Sequence, residues 1–262
     1  MIDDYEMLKR RCAKLNDFGS LKVIQVLEVL SCCTSYESIA NIAEVSGLSS
    51  STVHRILNEL VTTEYVNKND DRKYRLGLNA LALGSRIRKN DIIQEASDDE
   101  MDRLNELSLE TIHLIVLDKM MGRYIAKREA KNSIGLRSRI GWTLPLHCSS
   151  GGKCLMAYQS EEWLRNYFKS PMKRFTDNTI CDEDAMRKEL EAIRNQGYAL
   201  DNCEHNPDVI CIASPIFDSQ DNVIATIGIS APSYRFPIEK ALSFKDEVMK
   251  SARIVTEILR KK

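Results

Sequence analysis

The sequence predicts an α+β chain in two parts: a small helical module closed by a β-hairpin, then a larger domain built on a mostly antiparallel sheet. Three observations carry this. Apolar residues recur at helical spacing between Leu21 and Leu60, and two strand-like runs follow around a polar turn at 69–72. Beyond residue 91, strand-like runs cluster between helical flanks instead of alternating with helices, which fits helices laid against an antiparallel sheet. The 262 residues, 43% hydrophobic and 29% charged, are enough for one large or two small cores and exclude disorder as the main state.

In the first part, 21–30 (LKVIQVLEVL) puts Leu21, Ile24 and Leu27 on one helical face, with Ser20 as N-cap. Residues 38–45 form a short amphipathic helix through Ile39, Ile42 and Ala43, broken by Gly47. Ser49 and Ser50 cap a third helix running to about Thr62. Val53, Ile56, Leu57 and Leu60 recur at i, i+3, i+4, i+7 and form its buried stripe, which turns Ser51, Thr52, His54, Arg55 and Asn58 outward. Runs 65–68 and 73–76 make a hairpin about Asn69-Asp70-Asp71-Arg72, and 77–89 return to helical spacing. The boundaries read as an extension at 1–19, a first domain at 20–77, a connecting helix at 78–90 and a second domain at 91–262.

In the second domain a helix is expected at 92–107 and strands at 112–118, 123–128 and 133–140. A short helix follows at 153–158, with helical stretches at 161–168 and 183–196. Strands resume at 209–217 and 222–230, and one last helix covers 238–259.

Charge sharpens this division. The whole chain carries 37 Lys plus Arg against 38 Asp plus Glu, a net of −1, yet residues 49–90 hold 8 basic and 4 acidic residues, so 8 − 4 = +4. A basic module on a neutral chain suits double-stranded DNA. Segment 39–58 fits a helix-turn-helix: Gly47 makes the turn and Ala43, four residues earlier, allows the helices to approach, although Ser46 stands where an apolar residue is expected. Ser50, Ser51 and Thr52 at a helix N-terminus suit phosphate. Arg55 can bond guanine bidentately, Asn58 can pair with adenine, and His54 can reach base or backbone. Lys68, Arg72 and Lys73 of the hairpin are candidate phosphate or minor-groove contacts.

The chemistry of the second domain is less determined. Eight cysteines without a CxxC pair read as reduced thiols in a cytoplasmic protein, and the acidic start Met1-Ile2-Asp3-Asp4 is unlike a secretory signal. The longest apolar runs are five residues, such as 154–158, against the roughly 20 that a membrane helix needs. SSGGKC (149–154) opens a helix, where free N–H groups would welcome a carboxylate, but a Walker A loop is excluded by His147 and Cys154. Arg137 and Arg139 alternate with Ser138 and would share one strand face, as carboxylate ligands or as solvated edge charges. Two rival chemistries use nearby residues. Cys148, Cys211 or Ser150 could be a nucleophile with His147 or His205 as base, and His147, Cys148, Cys203, His205 and Cys211 include soft metal ligands for a metal- or redox-responsive regulator.

SGLSSSTVHRILNEL (46–60) and YRLGLNALALG (74–84), with ETIHL (110–114), SRIGWTLPLHCSSGGKCLMA (138–157), QGYALDN (196–202) and VICIASPIFDSQDNVIATIGIS (209–230), resemble the IclR-type bacterial transcriptional regulators from about Ser20 to Leu259. The IHL and SRIG segments are most similar to the branch sensing ketodeoxygluconate and aldonates. The resemblance implies a winged helix-turn-helix, a linker helix and a GAF-like effector-binding domain. It also implies a homodimer or homotetramer on a palindromic operator, with no cofactor beyond a small effector, a carboxylate. Carried over, the family's small-acid site falls on Ser149, Ser150, Gly151, Gly152, Asp201, Val209, Cys211, Gly228 and Ser230. Gly228 departs from members with Ser there, which is expected to cost a polar contact and open space.

Overall fold

The computed structural model describes residues 21–33, 35–84, 88–132 and 136–261. The extension at 1–19 and the Ser20 cap lie outside the described residues. The chain divides into two compact units, Met1–Ile87 and Arg88–Lys262.

In the first unit, α1 (Lys22–Ser31), α2 (Ile39–Ser46) and α3 (Ser50–Thr62) bury the predicted stripes. Val26, Leu30, Ile42, Val53, Ile56 and Leu57 are almost fully enclosed. Ser38 caps α2 by accepting from Asn41 N, and Ser49 caps α3 by accepting from Thr52 N. Gly47 ends α2 at φ 72°. Ser46 is buried, but its hydroxyl stays satisfied by donating to Ala43 O and accepting from Leu48 N, which is how a polar residue stands at this apolar position. β1 (Val66–Lys68) and β2 (Tyr74–Leu76) pair antiparallel, and Asn69 Oδ1 accepts from Lys73 N to close the turn. Glu37 bridges to Tyr74, adding a third short edge. α4 (Leu78–Gly84) follows.

The second unit begins with α5 (Arg88–Ser108). Its six strands are β3 (Thr111–Asp118), β4 (Met121–Arg128), β5 (Thr143–Pro145), β6 (Ala199–Asn202), β7 (Val209–Phe217) and β8 (Val223–Pro232), in the order β5-β4-β3-β8-β7-β6 with every pair antiparallel. One face packs Ile112, Leu114, Ile212, Ile227 and Ile229 against α5, α9 (Ile238–Ser243) and α10 (Lys245–Arg260). The other packs Ile115 and Ala213 against α6 (Ser150–Ala157), α7 (Glu161–Phe168) and α8 (Glu183–Gln196). Helices on both faces explain why β3 and β8 read as continuous apolar runs.

Several expectations need correction. No strand forms over 136–139, so Arg137 and Arg139 do not alternate on a sheet edge. The carbonyls of Leu136 and Ser138 accept from Lys127 Nζ, each at 2.8 Å, instead of joining a ladder, and β5 supplies the edge. The rest of that predicted strand, 133–135, lies outside the described residues. α6 starts at Ser150, three residues before the predicted start. The predicted last helix breaks at Phe244, whose ring packs near Phe236.

Candidate functional site

The polar face of α3 is where its buried stripe requires it. Ser50, Ser51, His54, Arg55 and Asn58 are exposed and Thr52 is half-buried. The Ser49 hydroxyl lies 3.1 Å from that of Ser51 and 2.9 Å from that of Thr52, so the helix opens on a cluster of hydroxyls. Arg55 pairs with Glu59 at 2.7 Å across one turn of exposed surface. Such a pair is worth at most about 1 kcal/mol and can be exchanged for a base or phosphate. Lys68, Arg72 and Lys73 are exposed at the hairpin, with Lys68 over the Tyr74 ring. Arg75 was not singled out from the sequence: it is exposed on β2, its guanidinium 4.6 Å from the Tyr36 ring centroid. The basic second strand was the signal, but the stacking that orders Arg75 is visible only in three dimensions.

In the second unit, register brings the candidate effector residues together. Asp201 on β6 pairs with Cys211 on β7, and Cys211 pairs with Ser230 on β8. Directly paired residues share a face, so the three side chains form one row on the α6 side of the sheet, and Val209, two residues before Cys211, shares that face. Val209 and Cys211 keep partial exposure, whereas Asp201 and Ser230 are buried. Ser149, Ser150, Gly151 and Gly152 open α6 and are buried. No side chain caps this helix, because Ser149 Oγ donates back to Pro145 O at 2.7 Å. Its first backbone N–H groups therefore face the interior without a side-chain acceptor.

Gly151 and Gly152 are required by close packing. A Cβ on Gly151 would stand 2.7 Å from Ile115 Cδ1 and 2.8 Å from Thr226 Oγ1, and one on Gly152 would stand 2.4 Å from Leu146 O. They let α6 lie directly on the sheet and on its own loop. Gly228 opens no space: a Cβ there would stand 2.5 Å from Ile212 O and 2.7 Å from the Ala213 Cβ.

Charges around the row are strongly perturbed. Burial, with the Glu204 charge beside it, pushes the Asp201 carboxyl up to about 7. Asp201 Oδ1 accepts from Glu204 N at 2.7 Å. Lys153 of α6 is almost fully buried, its Nζ 2.6 Å from Glu204 and 2.8 Å from Glu189. Burial acts against its charge, but Glu204 and Glu189 outweigh that and raise its pKa. Sequence reading missed Lys153, since a lysine inside an apolar run carries no sign of its partners.

The rival chemistries find little support in the same geometry. Burial and Asp201 push the Cys211 thiol well above the ordinary range, and burial also raises Cys148. A nucleophilic or redox-active thiol needs the opposite shift. Both His147 ring nitrogens are occupied, by Tyr167 OH and Lys173 O. Among the described residues, no group of three or more His, Cys, Asp or Glu is placed to hold a metal ion.

The comparisons with known proteins point the same way. Residues 21–70 match the IclR helix-turn-helix domain, and 85–257 match the C-terminal domain of bacterial transcriptional regulators of the IclR type. The HTH-type transcriptional regulator KdgR of Escherichia coli is 34% identical over 90% of this chain and 90% of its own. The HTH-type transcriptional repressor AllR of Salmonella typhimurium is 30% identical over 90% of this chain and 88% of its own. The crystal structure of Thermotoga maritima IclR superposes with a TM-score of 0.76 at 30% identity, covering 91% of this chain and 97% of that one. With a basic helix-turn-helix in one unit and a buried polar row in the other, the chain belongs to the IclR family of DNA-binding bacterial transcriptional regulators.

Proposed function

We propose that this regulator controls a catabolic operon from a palindromic operator, as a homodimer or homotetramer, and that a small carboxylate such as a sugar acid or 2-keto acid switches it. The observation that carries the effector class is the uncapped start of α6, a helix packed on the sheet face that also carries the Asp201–Cys211–Ser230 row. Backbone N–H groups at 150–152 would take the carboxylate, and Asp201 and Ser230 would bond hydroxyl or keto oxygens. Cys211 and Val209 would form the wall. Ser50, Ser51, Thr52, Lys68, Arg72 and Lys73 would hold phosphates, with His54, Arg55 and Asn58 on base edges. The raised Cys211 and Cys148 thiols weigh against a cysteine nucleophile at this site. No helix among the described residues is long and apolar enough to cross a membrane. Effector binding would favour one arrangement of the assembly and change the separation of its recognition helices.

The test starts from an operator recovered by selection on random duplex DNA, which should be an inverted repeat. Fluorescence anisotropy with that operator should show its affinity shifted by at least one acid among glyoxylate, pyruvate, gluconate and galactonate. Asp201→Ala should retain operator binding and require about tenfold more acid, the loss of roughly one good hydrogen bond to a charged group. If no acid changes the operator affinity, the carboxylate reading is wrong.

A further inference from the structure

Lys153 is a buried charge with no part in the recognition proposed above. It is the fourth residue of α6, directly after Gly152, and is 1% exposed. Its ammonium joins three elements: α6 itself, α8 through Glu189, and the loop after β6 through Glu204. Glu204 in turn donates its backbone N–H to Asp201 Oδ1 at 2.7 Å. A chain of polar contacts therefore runs from α6 to Asp201, and these are parts of the proposed effector site that lie on separate elements.

The turn that carries Asp201 is held from the other side as well. Cys203 has a φ of 56°, a backbone that a residue other than glycine keeps only where its surroundings enforce it. Thr179 Oγ1 donates to Glu204 O at 2.6 Å, Thr176 Oγ1 to Cys203 O at 2.7 Å and Asn178 Nδ2 to Asn202 O at 2.9 Å. The loop between α7 and α8 thus grips the backbone of the turn, while Lys153 holds the Glu204 carboxylate.

Stability does not account for this arrangement. Burying an ammonium with a carboxylate costs about as much as their attraction returns, and apolar side chains would hold the same elements at least as well. Here two carboxylates share one ammonium, and Glu204 Oε2 is buried without a partner. What a charged hydrogen bond supplies, and an apolar contact does not, is a fixed direction and distance. We propose that Lys153 is a positioning residue of the effector response: by holding Glu204 it fixes the Asp201 turn against α6, so that the helix N-terminus and Asp201 keep one geometry. This rests on the carboxylate reading above. Lys153 itself touches no effector and acts through Glu204.

The test uses the full-length protein. Lys153→Met alone leaves Glu204 unpaired in the interior, so it is combined with Glu204→Gln, which removes both charges. In hydrogen exchange read residue by residue, the amide at position 204 should exchange about tenfold faster than in the wild type, while the amide of Ile229 in the middle of the sheet should not change. Operator affinity without acid should also be unchanged. About tenfold more of whichever of glyoxylate, pyruvate, gluconate and galactonate acts on the wild type should be needed to shift it. A general loosening would instead move the Ile229 amide and the operator affinity too. Glu204→Gln alone keeps an acceptor for Lys153 and leaves Glu189 to balance it, so it covers a double variant that fails to fold; it should move both readouts in the same direction, by about threefold. If the amide at 204 keeps its wild-type protection, or if it loosens with no change in the acid requirement, Lys153 is not a positioning residue of the response, although the carboxylate reading stands. If none of the four acids acts on the wild type, that reading falls and this inference with it.

Discussion

Asp201, a residue of the proposed effector site, is also a buried carboxyl whose ionisation bears on stability. Its folded pKa of about 7 stands above the ordinary 3.8 because burial disfavours the carboxylate and Glu204 adds to that. The folded state therefore holds the proton more tightly than the unfolded one. The resulting stability is complete below pH 3.8, is lost as pH rises towards 7, and changes no further above that. Asp201→Asn keeps an acceptor for Glu204 N but cannot ionise. Thermal midpoints between pH 4 and 8 should show it gaining on the wild type as pH rises, by at most about 4 kcal/mol at pH 8; a constant offset would mean that Asp201 is ionised throughout. In the proposed site, a half-protonated Asp201 would tolerate an anionic effector nearby, since its protonated form can donate. On the DNA side, Arg55→Ala loses only a weak ion pair with Glu59, so its fold should be intact. Its affinity for the selected operator should fall about 10- to 100-fold, with a much smaller loss on random duplex. Equal losses on both would make Arg55 a phosphate contact.

Elements follow their local signals closely where those signals are redundant. α3 has a cap at Ser49, a stripe at Val53, Ile56, Leu57 and Leu60, and a glycine turn before it, and all three were legible. β6 was not, because four residues ending in Asp201-Asn202 have no periodicity of their own and become a strand only by pairing with β7. The segment at 136–139 alternates like a strand, but its carbonyls are held by Lys127, a partner nine and eleven residues away that no local pattern reveals. The candidate site divides in the same way. Ser230 and Asp201 could be placed by resemblance, whereas their union with Cys211 in one row is a consequence of register, and Lys153 emerges only from its partners. Gly228 is the case where residue type misleads: a missing side chain reads as space, but β7 already fills it. Gly228→Ser should therefore destabilise the second unit by about 1–3 kcal/mol and weaken effector binding, not strengthen it. A chemical-denaturation midpoint at or above that of the wild type would show that the strands can separate to admit the hydroxyl.

For the molecule as a whole, a net charge of −1 hides a division of labour: a basic reader and a body that is mildly acidic. The proposed switch needs more than one copy, because a single recognition helix has no partner whose distance an effector could alter. α4 offers the surface for this. Leu78, Leu81 and Leu83 are 82%, 71% and 65% exposed, three large apolar side chains on one short helix. Exposed leucines occur singly on monomers; Leu78 and Leu81, three residues apart, share one side of α4, and under the proposed homodimer a second copy of the same helix would supply matching chemistry. Leu81→Glu should leave the helical content and thermal midpoint of the separated chain nearly unchanged, since an exposed position contributes within about 0.5 kcal/mol. Sedimentation should show a smaller assembly. Operator affinity should fall steeply, while affinity for a single half-site should not, because only the tether between two readers has been cut. If the variant keeps its assembly and its operator affinity, self-association lies in the second unit, and the effector must act without α4.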